Sequence, residues 1–347
     1  MATLITGGAG YIGSHAARRL LEQGEDVVII DNLTRGNRGA VAALQTLKGG
    51  TLKFVHADVR DRETMTKTLR ERRIDAVLHF AALAYVRESV EQPLAYHDNN
   101  TAGSIALLAA CRDAGCVERF VFSSTCATYG APDPARIPID EECPQHPINP
   151  YGWSKLHVER VLEDFQAAML SLDKPFAFAR LRYFNVAGAD QQGLLGEDHD
   201  PETHLIPIAI FAALGRREPL KILGTDRDTP DGTCVRDYIH VDDLVDAHVA
   251  ALGALDPSRE DRRALSYNLG IGKGYSVYDV VKAVERVSGK PVPFEEGPGH
   301  AADPPTLTTN PSKIRDELGW SARVTSLDAI VETALRWFVE HPQGYNK

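Results

Sequence analysis

The sequence predicts an α/β fold built on a doubly wound parallel sheet, and three observations carry that expectation. Short apolar runs alternate with helix-length amphipathic stretches through the first half of the chain. The first apolar run leads directly into a glycine-rich turn, Gly7-Gly8-Ala9-Gly10-Tyr11-Ile12-Gly13. The second ends in a carboxylate, Asp31, eighteen residues after Gly13. Strand–helix–strand alternation requires crossover helices, which cover the faces of a parallel sheet.

The elements follow in order. Residues 2–6 read as a buried strand, and a helix starts at about Ile12 with Ala16, Ala17, Leu20 and Leu21 facing inward. Gly24 is placed to end that helix. Residues 27–30 form the second strand, and 52–57, 76–80, 120–122 and 176–181 form further ones. Helical stretches at 62–72, 93–114 and 151–172 separate them. After Arg182 the alternation is lost, and Gly, Pro and acidic residues cluster over 188–201. Six of the twenty prolines lie between Pro291 and Pro311. Such a stretch cannot be an ordinary helix and reads either as a loop over a ligand site or as a surface linker. From Ser312 the pattern gives one or two short amphipathic helices.

A chain of 347 residues amounts to roughly two domains at ~150 residues each. We expect the first at 1–183 and a smaller mixed α/β substrate domain at 184–347, with segments near 236–255 returning to the first. Hydrophobic residues at 43% and charged residues at 25% are ordinary for a globular protein. With 48 acidic against 38 basic side chains the net charge is -10. That balance argues against general affinity for nucleic acid or an anionic membrane, while leaving room for a local basic pocket. No apolar run approaches the ~20 residues of a membrane span. The N-terminus lacks the layout of a signal peptide. Five cysteines, an odd number without a Cys-x-x-Cys pair, point to reduced thiols in a cytoplasmic protein.

Gly7, Gly10 and Gly13 stand where a strand turns into a helix, so the backbone can approach a pyrophosphate and offer it free N–H groups. The pattern reads as a Rossmann-type dinucleotide turn, with a tight turn that binds no ligand as the alternative. Asp31 can accept both ribose hydroxyls of an adenosine and would repel a 2′-phosphate, so NAD is favoured over NADP. Arg35 and Arg38 pull the other way, since either can hold a phosphate. Asp58 ends the third strand, where it serves either the adenine edge or the N-cap of the next helix.

Tyr151-Gly152-Trp153-Ser154-Lys155 puts a phenol and an ammonium on one helix face. A second such pair, Tyr278 and Lys282, reads as a structural helix surface. Context separates the two. Tyr151 opens the helix after the fifth strand, and Ser123-Ser124-Thr125 closes that strand, the end at which open parallel sheets bind ligands. A free tyrosine with a pKa of ~10 needs lowering by ~3 units, or ~4 kcal/mol, to work as a base near neutrality. Lys155 and a positively charged nicotinamide ring can supply that shift.

These residues resemble a known family. Gly7 to Ser14, Asp31-Asn32-Leu33 and Tyr151-Gly152-x-Ser154-Lys155 are similar to the extended short-chain dehydrogenases that act on sugar nucleotides. Arg182-Tyr183-Phe184-Asn185-Val186-Ala187-Gly188 and Arg236-Asp237-Tyr238-Ile239-His240-Val241 narrow the match to the UDP-glucose 4-epimerases. His341-Pro342-Gln343-Gly344-Tyr345 is similar as well, so the resemblance runs essentially end to end.

The resemblance implies tightly bound NAD, regenerated in each cycle, and interconversion of UDP-glucose with UDP-galactose. Tyr151 would deprotonate the sugar 4-hydroxyl while hydride leaves C4. The keto sugar would then turn over, and hydride would return to its other face. Thr125 would hydrogen-bond the reacting oxygen, and Lys155 would hold the ribose and depress the Tyr151 pKa. Tyr11, Ile12, Asp31, Asn32, Asp58, Val59, Phe80, Ala81, Ala82, Asn99 and Phe184 fall on cofactor positions, Phe184 having ordinary core as its alternative. Asn185, His204, Leu205, Lys221, Leu223, Arg236, His300, Asp303 and Leu307 fall on nucleotide-sugar positions. Arg236 is the natural partner of a diphosphate, or else half of a salt bridge with Asp237 or another carboxylate. A homodimer built through helices of the cofactor domain is also implied, and no metal.

The chain departs from the family at several points. A cofactor-contacting lysine is replaced by Ala84, an Asn beside Leu205 by His204, and a uracil-side aromatic by Leu223. The Arg-Arg-x-Gly-Asp loop reads Gly299-His300-Ala301-Ala302-Asp303, so a diphosphate-contacting arginine becomes His300, unless that histidine is simply solvated. Anchored on Asp303, the position lining the sugar's 2-substituent falls on Leu307. Rival readings are a UDP-pentose or UDP-N-acetylhexosamine 4-epimerase, a nucleotide-sugar 4,6-dehydratase, and a non-catalytic NAD-binding regulator. The dehydratase needs an Asp-Glu pair directly after the threonine, where this chain has Cys126-Ala127. Cys126 reads as filler, with no neighbouring histidine in sequence to activate it. A regulator would not need the set Thr125, Tyr151 and Lys155.

Overall fold

The computed structural model describes residues 2–299 and 304–345; the candidate residues His300 and Asp303 lie outside them. The chain divides into two interleaved units, 1–128 with 147–182 and 245–267, and 129–146 with 183–244 and 268–347. The single cut expected at 183/184 thus omitted the excursion at 129–146. The return to the first unit falls at 245–267 rather than near 236–255.

The first unit holds β1 (Ala2–Thr6), α1 (Tyr11–Glu22), β2 (Asp26–Asp31), α2 (Arg38–Leu44), β3 (Leu52–His56), α3 (Arg62–Glu71) and β4 (Ile74–His79). It continues through α4 (Val86–Glu91), α5 (Pro93–Tyr96), α6 (Gly103–Ala114), β5 (Arg119–Ser123), α7 (Pro150–Ser171) and β6 (Ala177–Tyr183). The stretch 93–114, expected as one helix, is interrupted by a π-turn at His97–Ala102. β7 (Asn185–Ala187), α8 (Leu205–Ala213), β8 (Leu220–Leu223) and β9 (Val235–His240) follow. Then come α9 (Val241–Ala254), β10 (Ala264–Leu269), β11 (Gly274–Ser276), α10 (Val277–Ser288), β12 (Phe294–Gly297), β13 (Thr306–Leu307), α11 (Ser312–Leu318) and α12 (Leu327–Glu340).

Seven strands form the main sheet in the order β10-β6-β5-β4-β1-β2-β3. The pairs β1–β2, β1–β4, β2–β3, β4–β5 and β5–β6 are parallel. The strand order reverses between β1 and β4, which makes that junction the ligand-binding switch point of such a sheet. Interior strands read as unbroken apolar runs because helices cover both faces, and β1 is buried throughout. Edge strand β3, Leu-Lys-Phe-Val-His, has no fully buried residue, and its Lys53 and His56 are exposed. Leu4, Val28, Val77, Phe120, Phe122, Val158, Leu162 and Phe178 pack in one core cluster. Each contributes ~1.5–3 kcal/mol through burial.

In the second unit β9 is the hub, with β11 antiparallel and β13 and β7 parallel to it. β8 and β12 pair in parallel beside it in sequence. Ile210, Val280, Val284, Ile330, Val331 and Trp337 form this unit's core. α10 starts in a capping box between Ser276 and Asp279, so its first-turn N–H groups are satisfied before packing begins.

Candidate active site

In the first unit the candidate residues gather at the C-terminal ends of the parallel strands. The glycine turn follows β1, Asp31 ends β2, Asp58 follows β3, Phe80 and Ala81 follow β4, and Ser124 and Thr125 follow β5. Gly7 has φ +69, and a Cβ there would stand 2.6 Å from the Ala81 backbone nitrogen, so the turn admits only glycine. Gly10 is the N-cap of α1 without a side-chain hydrogen bond, and the first turn carries no acidic residue. Backbone N–H groups and the helix dipole are thereby left for an anionic ligand.

Asp31 is 8% exposed and accepts the N–H of Ala9 at 3.0 Å and of Leu33 at 2.8 Å. Burial raises its carboxyl above the usual range, against those two N–H groups. Arg35 is committed to Glu88 at 2.5 Å and stacks over the Tyr85 ring. Arg38 lies over Phe54, with a guanidinium nitrogen 3.5 Å from His56. A carboxylate at the end of β2, with Arg35 occupied elsewhere, fits a ribose bearing free hydroxyls. Asp58 accepts from Arg60 and from the Asn32 amide at 2.8 Å, and chiefly Arg60 holds it well below the usual carboxylate range. The N-cap alternative for Asp58 is corrected: Asp61 caps α3 through the Thr64 N–H. Val59 is buried, and Phe80 stacks on His248 with ring centroids 4.9 Å apart.

The π-turn contains both Asn99 and a residue that sequence reasoning missed. Asn100 is 2% exposed. Its amide donates to the Leu83 carbonyl at 2.9 Å and to Ser154 Oγ at 3.0 Å, and its oxygen accepts the Leu83 N–H at 2.8 Å. It clips the loop after β4 to the helix that carries Tyr151 and Lys155. Asn99 donates to the same oxygen at 2.9 Å.

Asn149 caps α7 by accepting the Gly152 N–H at 2.8 Å, with Pro150 in the first turn. A Cβ on Gly152 would sit 2.5 Å from the Ala127 carbonyl, so this glycine lets the start of α7 lie against the Thr125-Cys126-Ala127 backbone. Tyr151 is 7% exposed and meets Tyr96 edge-on, with centroids 6.3 Å apart. Thr125 Oγ1 accepts the Ala127 N–H at 3.1 Å. Lys155 is buried, donates from Nζ to the Ser123 carbonyl at 2.8 Å and lies over the Phe122 ring.

One helical turn further along α7 is a second residue that the sequence did not single out. Glu159 is fully buried. It accepts from Ser124 Oγ at 2.5 Å, from Arg182 Nε at 3.0 Å and from Arg182 Nη2 at 2.7 Å. Burial pushes its carboxyl upward, but Arg182 and Ser124 outweigh this and hold it below the usual range. Tyr151, Lys155 and Glu159 recur every four residues, a signal that was present in the sequence. His79, bonded to Thr6 and Ser104 beneath the sheet ends, is pushed down to about 3 by burial and stays neutral.

Burial also pushes Lys155 down to about 7, against the attraction of Glu159. In the unfolded chain this amine keeps its proton to about 10.4. Between those values the unfolded state binds the extra proton, so stability rises with pH across that window. Lys155→Met removes the effect. In denaturant unfolding of cofactor-free protein, the wild type is expected to gain on Lys155→Met as pH rises from about 7 to 10. A gap that does not vary with pH would mean that Lys155 is solvated.

The second unit carries the nucleotide-sugar candidates. Phe184 is 8% exposed, and Asn185 opens β7 opposite Tyr238. Arg236 Nη1 donates to the carbonyls of Val235 at 2.9 Å and Pro305 at 3.3 Å. The salt bridge to Asp237 is not formed: that carboxylate accepts the N–H groups of Ile271, Gly272 and Thr309 instead. Leu307 pairs with Arg236 in register. Leu205 opens α8 with His204 as its N-cap, and the His204 ring is engaged with Glu202 and Glu197. Lys221 and Leu223 lie exposed on β8. Tyr278 donates to Glu296 at 2.5 Å on the surface of α10, in keeping with a structural pair. No disulfide joins any of the five cysteines.

Comparison with known proteins adds to this geometry. The sequence pattern of the NAD dependent epimerase/dehydratase family matches residues 3–270. A UDP-glucose 4-epimerase of Halalkalibacterium halodurans is 45% identical over 346 residues, covering 100% of this chain and 98% of the relative. UDP-arabinose 4-epimerase 1 of Arabidopsis thaliana is 47% identical over 348 residues, covering 99% and 80%. A crystal structure of a UDP-glucose 4-epimerase from Stenotrophomonas maltophila, with bound NAD and formylated UDP-arabinopyranose, superimposes with TM-score 0.91 at 42% identity, covering 99% of each chain.

Proposed function

This chain belongs to the NAD dependent epimerase/dehydratase family, and on that premise we propose that it interconverts UDP-glucose and UDP-galactose by transient oxidation at C4. The observation that carries the reading is one unit holding both halves of the chemistry. A glycine turn with the Asp31 carboxylate stands at the switch point, and Thr125, Tyr151 and Lys155 stand at the end of β5 and the start of α7. Gly7, Gly10, Tyr11, Ile12, Gly13, Asp31, Asn32, Asp58, Val59, Phe80, Ala81, Ala82, Asn99 and Phe184 would hold NAD. When bound, NAD supplies a reversible acceptor for the hydrogen at C4.

The protein's own groups do the rest. Tyr151 Oη takes the proton of the sugar 4-hydroxyl and later returns it. Thr125 Oγ1 hydrogen-bonds the same oxygen. Lys155, fixed by the Ser123 carbonyl, favours the Tyr151 phenolate when it carries its proton. Arg236 grips the diphosphate, and Asn185, Leu205, Lys221, Leu223 and Leu307 line the nucleotide and sugar.

The test is turnover by purified protein without added cofactor, followed by denaturation to release what is bound. UDP-galactose should give UDP-glucose, and the released nucleotide should be NAD or NADH. Absence of turnover with every 4-hydroxyl sugar nucleotide, or recovery of mostly NADP, overturns the reading. Pentose substrates belong in the same panel, because a UDP-arabinose 4-epimerase is 47% identical to this chain.

Leu307 sets substrate breadth in this reading, since it lies in register with Arg236 on the neighbouring strand. UDP-N-acetylglucosamine should be epimerised, but more slowly than UDP-glucose. Leu307→Tyr should suppress the N-acetylated substrate by one to two orders of magnitude, because overpacking costs ~1–3 kcal/mol. UDP-glucose should be nearly untouched. An equal fall in both specificity constants would remove Leu307 from the pocket wall.

The protein works as a cytoplasmic homodimer in this account. Cysteines outside any disulfide suit a reducing compartment. Leu94 at 82% exposed, Val90 at 62% and Trp153 at 41% lie on α5, α4 and α7, which pack on one another and leave an apolar surface for a second copy. Sedimentation at the monomer mass would contradict this.

A further inference from the structure

We propose that Glu197, His199, Glu202 and His204 form a binding site for one divalent transition-metal ion of the zinc class. The residues fall within eight positions, as Glu-x-His-x-x-Glu-x-His, in the segment leading into α8. Their four ligand atoms lie within 4.8 Å of one another. His199 Nδ1 stands 3.0 Å from Glu197 Oε1 and 3.6 Å from Glu202 Oε2. His204 Nδ1 stands 2.9 Å from Glu197 Oε1 and 2.8 Å from Glu202 Oε1.

These spacings match the chemistry of a bound ion. Zinc holds nitrogen and oxygen ligands at ~2.0–2.1 Å in a tetrahedron, whose edges are then ~3.3 Å. Three of the four nitrogen–oxygen distances are shorter than that length and one is longer, so the nitrogen and oxygen atoms already stand near the spacing a bound ion requires. Once an ion has displaced their protons, two neutral imidazoles and two carboxylates balance a dication, and imidazole with carboxylate suits zinc and its late first-row neighbours.

Without an ion the four side chains pair with one another, the two carboxylates holding both imidazoles above the usual histidine range against the effect of burial. The Glu197 and Glu202 side chains are only 5% and 7% exposed, yet their recorded ion pairs are with the two histidines and not with lysine or arginine. Elsewhere in this protein the buried Glu159 takes arginine, and the buried Asp237 takes backbone N–H groups. The backbone around the cluster is pinned in advance. Trp337 Nε1 donates to the Glu197 carbonyl at 3.1 Å, and Tyr345 Oη bonds the Gly196 N–H and carbonyl at 3.0 and 3.1 Å. Arg217 donates to the Glu202 carbonyl at 3.1 Å. Because His204 is the N-cap of α8, a bound ion would clamp the entry of that helix.

The test uses the full chain, stripped with chelator and titrated with zinc at pH 8, followed by calorimetry and by intrinsic tryptophan fluorescence, to which Trp337 contributes. One equivalent should bind saturably and raise the melting temperature. Cobalt should give the intense visible spectrum of a tetrahedral site, and Glu202→Gln and His199→Gln should each weaken binding at least about tenfold. Either variant alone keeps the test open if the other fails to fold. Lack of saturable binding to the wild type, or binding unchanged in both variants, overturns the proposal.

Discussion

Tyr151→Phe is expected to lower kcat by about 10²–10⁴-fold while nucleotide-sugar binding survives. The ring is what packs: Tyr151 meets Tyr96 edge-on and is 7% exposed, so phenylalanine keeps the buried contacts. Only Oη is lost, and with it the proton acceptor for the 4-hydroxyl. Tyr278→Phe, which removes a phenol engaged with Glu296 in the second unit, should leave kcat unchanged. A Tyr151→Phe enzyme retaining more than about a tenth of wild-type kcat would assign the base to another residue.

Glu159→Gln should destabilise the protein by about 3–5 kcal/mol, because it leaves the Arg182 guanidinium buried without its counter-charge. Both groups are almost wholly inaccessible, at 0% for Glu159 and 4% for the Arg182 side chain. A fall in melting temperature on the order of 10 °C is the readout. The loss should extend to cofactor retention, since Ser124 beside Thr125 also depends on this carboxylate. Replacing both members with apolar residues of similar volume, as in Glu159→Leu with Arg182→Met, should recover most of the stability but not the activity. If the double variant is no more stable than Glu159→Gln, the unpaired charge is not the source of the loss.

What the sequence discloses here is local. The strand, glycine turn and helix over residues 2–22, the carboxylate at Asp31 and the pairing of Tyr151 with Lys155 are each written within one or two elements. Burial periodicity and turn chemistry are enough to find such features. The supporting residues are not written that way. Glu159 meets Ser124 and Arg182 across separations of 35 and 23 residues, and Asn100 meets Ser154 across 54. The four-residue spacing puts Glu159 on the helix face of Tyr151 and Lys155, but no local pattern gives its partners; they follow from the order in which the strands lie in the sheet. The π-turn at 97–102 was hidden for the same reason, since helix propensity reads through it while Asn100 turns its amide to the neighbouring loop. The assignment of 129–146 to the second unit likewise depends on long-range contacts, including Tyr129 Oη on Asn268 and the bridge between Ile139 and Thr309.

The most direct test of the central claim follows an isotope. UDP-galactose carrying deuterium at C4 is converted by the purified protein in ordinary water, and the UDP-glucose formed is analysed at C4. Oxidation and return at that carbon, in a site where Tyr151 handles only the hydroxyl proton, predicts that the deuterium is kept. Replacement of the label by solvent hydrogen, with turnover otherwise normal, would show that the carbon exchanges as an acid and would contradict the account.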